Sequence, residues 1–217
     1  MRLAGAFVFV AALYGTAAAQ TITPGPPGPY VLDVRGAMTG VPQAASYYAA
    51  VPADTVVPAR GFGAAIGVHV YPLRIGRARL GIGGSFVEVR GTATTSLPTT
   101  STSSSSSSST DSSSTPAVVY PDTTIWERIV APELSVNFGT HDGWSYLSAG
   151  YGPVREKTDV VPPGSGTLTQ VTNTSAANFG GGARWFLSAH LGIGFDVRFY
   201  RIPSATVVGL NAGFSVR

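Results

Sequence analysis

The stretch Asn178 to Tyr200, NFGGGARWFLSAHLGIGFDVRFY, decides the fold, because it holds two alternating segments joined by a short connection at 187–190. In the second segment, apolar side chains take every other position, at Leu191, Ile193, Phe195, Val197 and Phe199. Glycines and charged side chains fill the positions between them. A period of two is the pattern of a β-strand with one apolar and one polar face. The stretch therefore predicts an antiparallel hairpin.

The same alternation extends outward from this hairpin over most of the chain, and no window shows helical spacing. The predicted strands lie near residues 30–38, 61–71, 79–89, 126–138, 144–152, 178–186, 191–201 and 207–216. Eight strands joined in chain order predict an all-β protein, an eight-stranded antiparallel up-and-down barrel.

The polar face distinguishes a transmembrane barrel from a soluble, lipocalin-like one. A face in contact with water should carry Lys and Glu, whereas this face is mostly glycine and serine, as suits the interior of a narrow barrel. Charged residues make up only 12% of the chain, and 13 of its 14 basic residues are Arg, with Lys157 the exception. The apolar face is therefore predicted to face lipid, and the segment lengths match the roughly 9–11 residues of a tilted membrane strand.

The connections alternate in length, which predicts how the barrel lies in its membrane. Long connections at 39–60, 92–125 and 153–176 alternate with short ones at 72–78, 139–143 and 187–190, although the last connection, 203–206, is short. Outer-membrane barrels have short periplasmic turns and longer outer loops. We therefore expect a Gram-negative outer-membrane protein with both termini in the periplasm and the Ser/Thr-rich segment 92–115 outside.

The N-terminal residues predict export. Arg2, the apolar run from Leu3 to Tyr14 and the small residues 17–19 form a signal peptide over residues 1–19. A Pro/Gly-rich periplasmic leader is predicted at 20–29, followed by the barrel at 30–217. The chain has no cysteine, so no disulfide is expected. The net charge of +3 and the absence of a basic stripe argue against a nucleic-acid partner.

Aromatic residues near the predicted strand ends indicate two rings at the membrane boundaries, because amphipathic rings favour the headgroup level. The residues assigned to these rings are Tyr30, Tyr71, Trp126, Trp144, Tyr151, Trp185, Phe186, Phe199 and Tyr200.

The charged residues of the inward face are balanced in sign, with three acids and three bases. They are Asp33, Arg35, Glu133, Arg184, Asp196 and Arg198. Charges buried in a narrow lumen are costly unless they are paired. We therefore predict an internal ion-pair network that plugs the barrel; the alternative is a set of solvated charges in a wet pore.

The stretch Asn178 to Tyr200 also resembles the penultimate hairpin of small outer-membrane barrels related to the OmpA transmembrane domain and OmpX. The resemblance lies in its Gly-rich strand, the aromatic pair at the base, the tight turn and the Asp-x-Arg strand. It implies an eight-stranded barrel in the outer membrane. That family usually ends in an aromatic residue, whereas Arg217 is the last residue here.

The functional expectation is a non-enzymatic barrel with a structural or surface-interaction role. An adhesin acting through its loops, a small-solute channel and a lipid A-modifying enzyme are the alternatives. The enzyme is disfavoured because His141 and His190 lie in predicted periplasmic turns and His69 faces the lumen near that end. No catalytic residue, metal site or cofactor is predicted. The expected partners are outer-membrane lipids, lipopolysaccharide and an extracellular ligand bound by the loops, and we expect a monomer.

Overall fold

The computed structural model describes residues 28–48, 51, 55–94, 122–162 and 166–217. They form a closed barrel of eight antiparallel strands, each paired with the next, and the last strand pairs with the first. The strands are β1 (Tyr30–Gly40), β2 (Arg60–Ile75), β3 (Ala78–Ala93), β4 (Asp122–Gly139), β5 (Gly143–Val161), β6 (Leu168–Phe186), β7 (Leu191–Ile202) and β8 (Ala205–Val216). The predicted fold class is confirmed.

Three predicted segments fall largely outside this part of the chain. The signal peptide at 1–19 lies outside the described residues, as do most of the leader at 20–29 and most of the Ser/Thr-rich segment at 92–115. A short 3₁₀ helix (Ala45–Tyr48) follows β1. No helix among the described residues is long and apolar enough to cross a bilayer.

The two ends of the barrel differ in their connections. At one end, here called the turn end, lie the short turns 76–77, 140–142 and 187–190, together with the start of β1 and the end of β8. The first of these turns begins at Gly76, whose φ of 60° favours glycine. At the other end, here called the loop end, lie the connections 41–59, 94–121, 162–167 and 203–204.

The predicted long connection at 153–176 is wrong, because β5 continues to Val161 and β6 begins at Leu168. Alternation continues through this stretch, with Val154, Glu156 and Val160 buried inside the barrel. Most of its outward positions are polar, although Val161, Leu168 and Val171 are exposed there, and this polarity favours a loop. β4, β5 and β6 therefore rise further toward the loop end than the apolar face of the barrel does.

The outer wall is apolar, because every second residue of each strand points outward. Large apolar side chains stay exposed there, among them Phe62 at 63%, Leu134 at 69%, Leu147 at 60% and Phe179 at 61%. A wall of this kind all around a barrel is the surface that lipid covers, and closure of the sheet leaves no unpaired strand edge in the bilayer. The barrel is of the transmembrane class.

The interior is filled by layers along the barrel axis. Near the turn end, Val31, Tyr71, Trp144 and Phe186 form an apolar cluster. A charged layer follows, and beyond it lies a second apolar cluster to which every strand contributes: Ala37, Ala65, Val87, Val89, Ile129, Val154, Ala176, Tyr200, Ile202 and Val207. Closest to the loop end, Val41, Ile125 and Tyr48 of the 3₁₀ helix form a third cluster.

Candidate functional site: the barrel interior and its outer rim

The charged layer brings together all six residues of the predicted lumen network. Asp33 accepts two hydrogen bonds from Arg184, at 3.0 and 2.6 Å, and lies 2.8 Å from Arg35. Arg35 also contacts Asp196 at 2.6 Å. Arg198 lies 3.3 Å from Asp196 and pairs with Glu133. All six are buried.

Neutral polar side chains complete this layer. The Tyr146 hydroxyl donates to Asp196 at 2.7 Å, and the Arg184 guanidinium lies 3.7 Å from the centre of the Tyr146 ring. Asn211 donates to Asp196, Ser215 to Asp33 and Ser85 to Glu133. These residues are not part of the network predicted from the sequence, although Tyr146, Asn211 and Ser215 lie on the inward faces of their strands, as the charged residues do.

His69 also belongs to this layer. Its Nε2 atom lies 3.3 Å from Oε2 of Glu133, a neighbour on β4 that the pairing of β2 with β3 alone could not reveal. His69 is only 1% exposed. His141 and His190 lie in the turns 140–142 and 187–190, as the sequence predicts. No group of three or more His, Cys, Asp or Glu side chains in the described part of the chain could hold a metal ion.

Glycines make room for these long side chains. Glu133 faces Gly83 on β3 and Gly150 on β5, and a Cβ atom on Gly150 would lie 2.8 Å from Cγ of Glu133. A Cβ atom on Gly182 would lie 2.7 Å from Cβ of Asp196. The glycines of the polar face thus leave the space that the side chains of the ion pairs occupy.

Four of the nine aromatic residues assigned to the membrane rings lie inside the barrel, so their assignment is wrong. Tyr71, Trp144 and Phe186 pack in the apolar cluster at the turn end, and Tyr200 packs in the second apolar cluster. Each shares the inward phase of the polar residues of its strand. The remaining five, Tyr30, Trp126, Tyr151, Trp185 and Phe199, occupy outward positions, and their role at a membrane boundary stays a prediction.

Arg217 closes the turn end. Its guanidinium lies 4.0 Å from the centre of the Phe186 ring and 5.8 Å from that of Trp144. It also donates to the carbonyl oxygens of Ala189, at 2.9 Å, and His141. This arrangement gives Arg217 a physical role. Its guanidinium packs against the aromatic cluster and provides hydrogen bonds to carbonyl oxygens of two turns.

Two carboxyl groups face each other inside the barrel near the loop end. Glu127 on β4 pairs in register with Glu156 on β5, and the two residues are 4% and 1% exposed. Neither forms an ion pair with a described residue, although Thr158 donates to Glu156 at 3.1 Å. Burial, together with the charge of Glu156, raises the pKa of Glu127 to about 8, and burial raises the pKa of Glu156 to about 7.

A basic cluster lies on the outer wall at the same height. It consists of Arg90, Trp126, Arg128, Arg155 and Lys157, which come from β3, β4 and β5. Cζ of Arg90 and Nζ of Lys157 lie 4.8 and 4.9 Å from the centre of the Trp126 ring.

These features define an outer-membrane β-barrel, with an apolar wall, closed strand pairing, short turns at one end and an interior filled by side chains. No protein-family model matches the chain. No curated protein matches it either.

Solved structures with this fold include Ail, the attachment invasion locus protein of Yersinia pestis. One Ail structure is similar with a TM-score of 0.54 and 12% identity, over 88% of this chain and 98% of Ail. Ail in complex with the heparin analogue sucrose octasulfate gives 0.53 and 11%, over 86% and 96%. Neisserial surface protein A aligns over 87% of this chain and 97% of its own, at 12% identity and a TM-score of 0.47. The resemblance to small OmpA- and OmpX-like barrels is thus confirmed at the level of the fold.

Proposed function

We propose that this chain is a non-enzymatic outer-membrane barrel with a closed lumen, which acts at the cell surface through its loop end. In this proposal residues 1–19 are a signal peptide, 20–29 a periplasmic leader and 30–217 the barrel. The turn end faces the periplasm and the loop end, with the Ser/Thr-rich segment, faces outward. The connections at the turn end have two to four residues, whereas the loop end has the long connections 41–59 and 94–121 beside the shorter ones 162–167 and 203–204, and this difference supports the orientation.

The stacked interior is the observation that carries the proposal. The ion-pair layer lies between two apolar clusters, and the wider of these includes residues from all eight strands. The cavity lined by Asp33, Arg35 and Asp196 has a volume of about 20 Å³, which is room for about one water molecule. A solute would have to break buried ion pairs, at a cost of several kcal/mol for each charge left buried without its partner. This interior favours a plug over a channel.

Planar-bilayer recording of the refolded barrel tests the closed lumen. We expect no large, steady conductance from the wild-type chain. Heat-modifiable gel mobility of the same reconstituted sample shows separately that the barrel is folded and inserted. An absence of conductance then reports a closed lumen and not a failed insertion. A large, steady conductance from verified barrels would show that the lumen is a channel and contradict the proposal.

A further inference from the structure

The basic cluster on the outer wall is built from two rows of cross-strand neighbours. In the first row Glu88, Arg128 and Arg155 follow one another across β3, β4 and β5. In the second row, one step closer to the loop end, Arg90, Trp126 and Lys157 do the same. Side chains that are direct cross-strand partners lie about 5 Å apart at Cβ. Four cationic groups therefore share one small patch around an indole ring.

The height of this patch on the barrel indicates which part of the lipid bilayer it contacts. One step toward the turn end, the first row is followed by Phe86 and Val130, and further steps lead to Ile82 and Leu134. The last two are 56% and 69% exposed on the wall that lipid covers. The cations thus lie at the edge of the apolar wall, where lipid headgroups begin.

The charges of the patch are only partly neutralised. Arg128 pairs with Glu88 at 2.9 Å and Lys157 with Asp159 at 2.6 Å, and both cationic side chains stay about half exposed. Arg155 is exposed and forms no hydrogen bond or ion pair with any residue that the structure describes. Four basic groups against two acidic ones leave an excess of positive charge. An anion could therefore add to this patch without displacing every existing pair.

A cavity of about 280 Å³ opens between these side chains, lined by Glu88, Trp126, Arg128, Arg155 and Lys157, and it also borders Glu127, whose side chain is buried inside the barrel. Guanidinium groups bind phosphate oxygens in a planar, two-point geometry, and a lysine ammonium adds a point charge. The indole ring offers a flat apolar face beside them, of the kind that settles at the headgroup level of a bilayer. This combination suits a phosphorylated sugar that is attached to acyl chains.

We propose that the basic cluster binds the phosphorylated headgroup of the outer-leaflet glycolipid, the lipid A part of lipopolysaccharide. The acyl chains would then lie along the apolar wall below Phe86 and Val130, and the phosphates would meet Arg128, Arg155 and Lys157. This inference rests on the proposed function, because it needs the loop end to face the leaflet that contains lipid A.

The test uses the barrel refolded in nanodiscs, with bisphosphorylated lipid A, monophosphoryl lipid A and a soluble heparin fragment as probes. The variant is Arg155→Gln/Lys157→Gln. The control, Arg74→Gln/Arg77→Gln, removes the same charge at the turn end. We expect the variant to bind bisphosphorylated lipid A about 30-fold more weakly, since each basic residue near an anionic surface contributes about 1 kcal/mol. The control should bind as the wild type does, and monophosphoryl lipid A should bind more weakly than the bisphosphorylated form.

Equal binding by the variant and the control would overturn the inference, as would equal binding of the two lipid A forms. Binding of the heparin fragment without binding of lipid A would also overturn it, and would point to a soluble sulfated glycan instead. Gel mobility before and after heating shows that each variant is folded. A wild-type chain that does not insert into nanodiscs contradicts the proposed function itself, whereas an inserted chain without patch-dependent binding contradicts only this inference.

Discussion

At the level of single residues, closure of the barrel brings together charged side chains that are far apart in the chain. The alternation placed Asp33 and Arg184 on the inward face, but they are 151 residues apart and meet only because the barrel closes. The misplaced aromatic residues follow the same rule. Trp144 shares the phase of inward-facing Tyr146, although its position at a strand end predicts a place at the membrane boundary. The position of a residue along its strand determines its height on the barrel axis. The alternation of the strand determines whether its side chain points into the barrel or toward the lipid.

The facing carboxyl groups of Glu127 and Glu156 lead to a prediction about pH. Both lie beyond the apolar wall, and their pKa values are raised to about 8 and about 7 from a usual 4.5. The folded barrel therefore holds protons that the unfolded chain has released, and stability falls as pH rises from about 4.5 to about 8. We expect the free energy of unfolding in detergent micelles to be lower at about pH 9 than at about pH 5, by at least about 1.4 kcal/mol, the equivalent of one pKa unit.

Urea titration of the barrel at the two pH values measures this difference. The variant Glu127→Gln/Glu156→Gln keeps the shape of both side chains without the titrating proton, so its stability should depend much less on pH. Burial also raises the pKa of Tyr47 and Tyr48, the titratable groups on the 3₁₀ helix beside the pair, so these hydroxyls stay neutral in this range. An equally steep pH dependence in the variant would assign the effect to other groups.

At the level of strands, the sequence predicts the existence and order of all eight, but it makes four of them too short at the loop end: β3 and β5 continue beyond their predicted ends, and β4 and β6 begin before their predicted starts. β4, β5 and β6 extend beyond the lipid-facing wall, where both faces carry polar residues and the contrast between the faces fades. Pro132 and Pro153 also obscured the pattern, since neither has an N–H to donate. The structure accommodates both where the pairing of β4 with β5 is interrupted between Ile129 and Glu133.

The glycines of the inward face lead to a prediction at this level. Gly182 on β6 faces Asp196 on β7, and a Cβ atom there would meet the Phe195 carbonyl oxygen and approach Cβ of Asp196 to 2.7 Å. We expect Gly182→Ala to lower the free energy of unfolding by about 1–3 kcal/mol through overpacking. The matched control is Gly67→Ala on β2, where the nearest atom, Oδ2 of Asp33, lies 3.6 Å away.

Urea unfolding in micelles, followed by tryptophan fluorescence, measures both variants. The control should be neutral or slightly stabilising, because alanine restricts the unfolded chain more than glycine does. Equal destabilisation of the two barrels would mean that the strands tolerate no inward methyl group anywhere. It would contradict the specific role of Gly182 in making room for the charged layer.

At the level of the whole molecule, the order of the apolar and charged layers inside the barrel could not be predicted from the sequence. Each strand shows which residues point inward, but only the stagger of neighbouring strands determines which of them share a height. Ala37 on β1 and Val154 on β5 belong to one apolar cluster, although they are far apart in the chain and lie on opposite sides of the barrel order. The six charges of the ion-pair layer could be identified from the sequence, whereas the inward-facing Glu127 and Glu156 were missing from that set. The enclosure of this charged layer between two apolar clusters could not be predicted from the sequence.

The orientation of the barrel in its membrane leads to the last prediction. The chain contains no cysteine, so a single introduced cysteine can be labelled without background. Ser204→Cys lies in the connection 203–204 at the loop end, and Ala189→Cys lies in the turn 187–190 at the turn end; both positions are exposed. We expect a membrane-impermeant maleimide to label Ser204→Cys on intact cells and Ala189→Cys only after the outer membrane is opened. The reverse pattern would place the loop end in the periplasm. It would remove the basic cluster from the outer leaflet while leaving the closed interior unaffected, since the layers inside the barrel do not depend on which end faces outward.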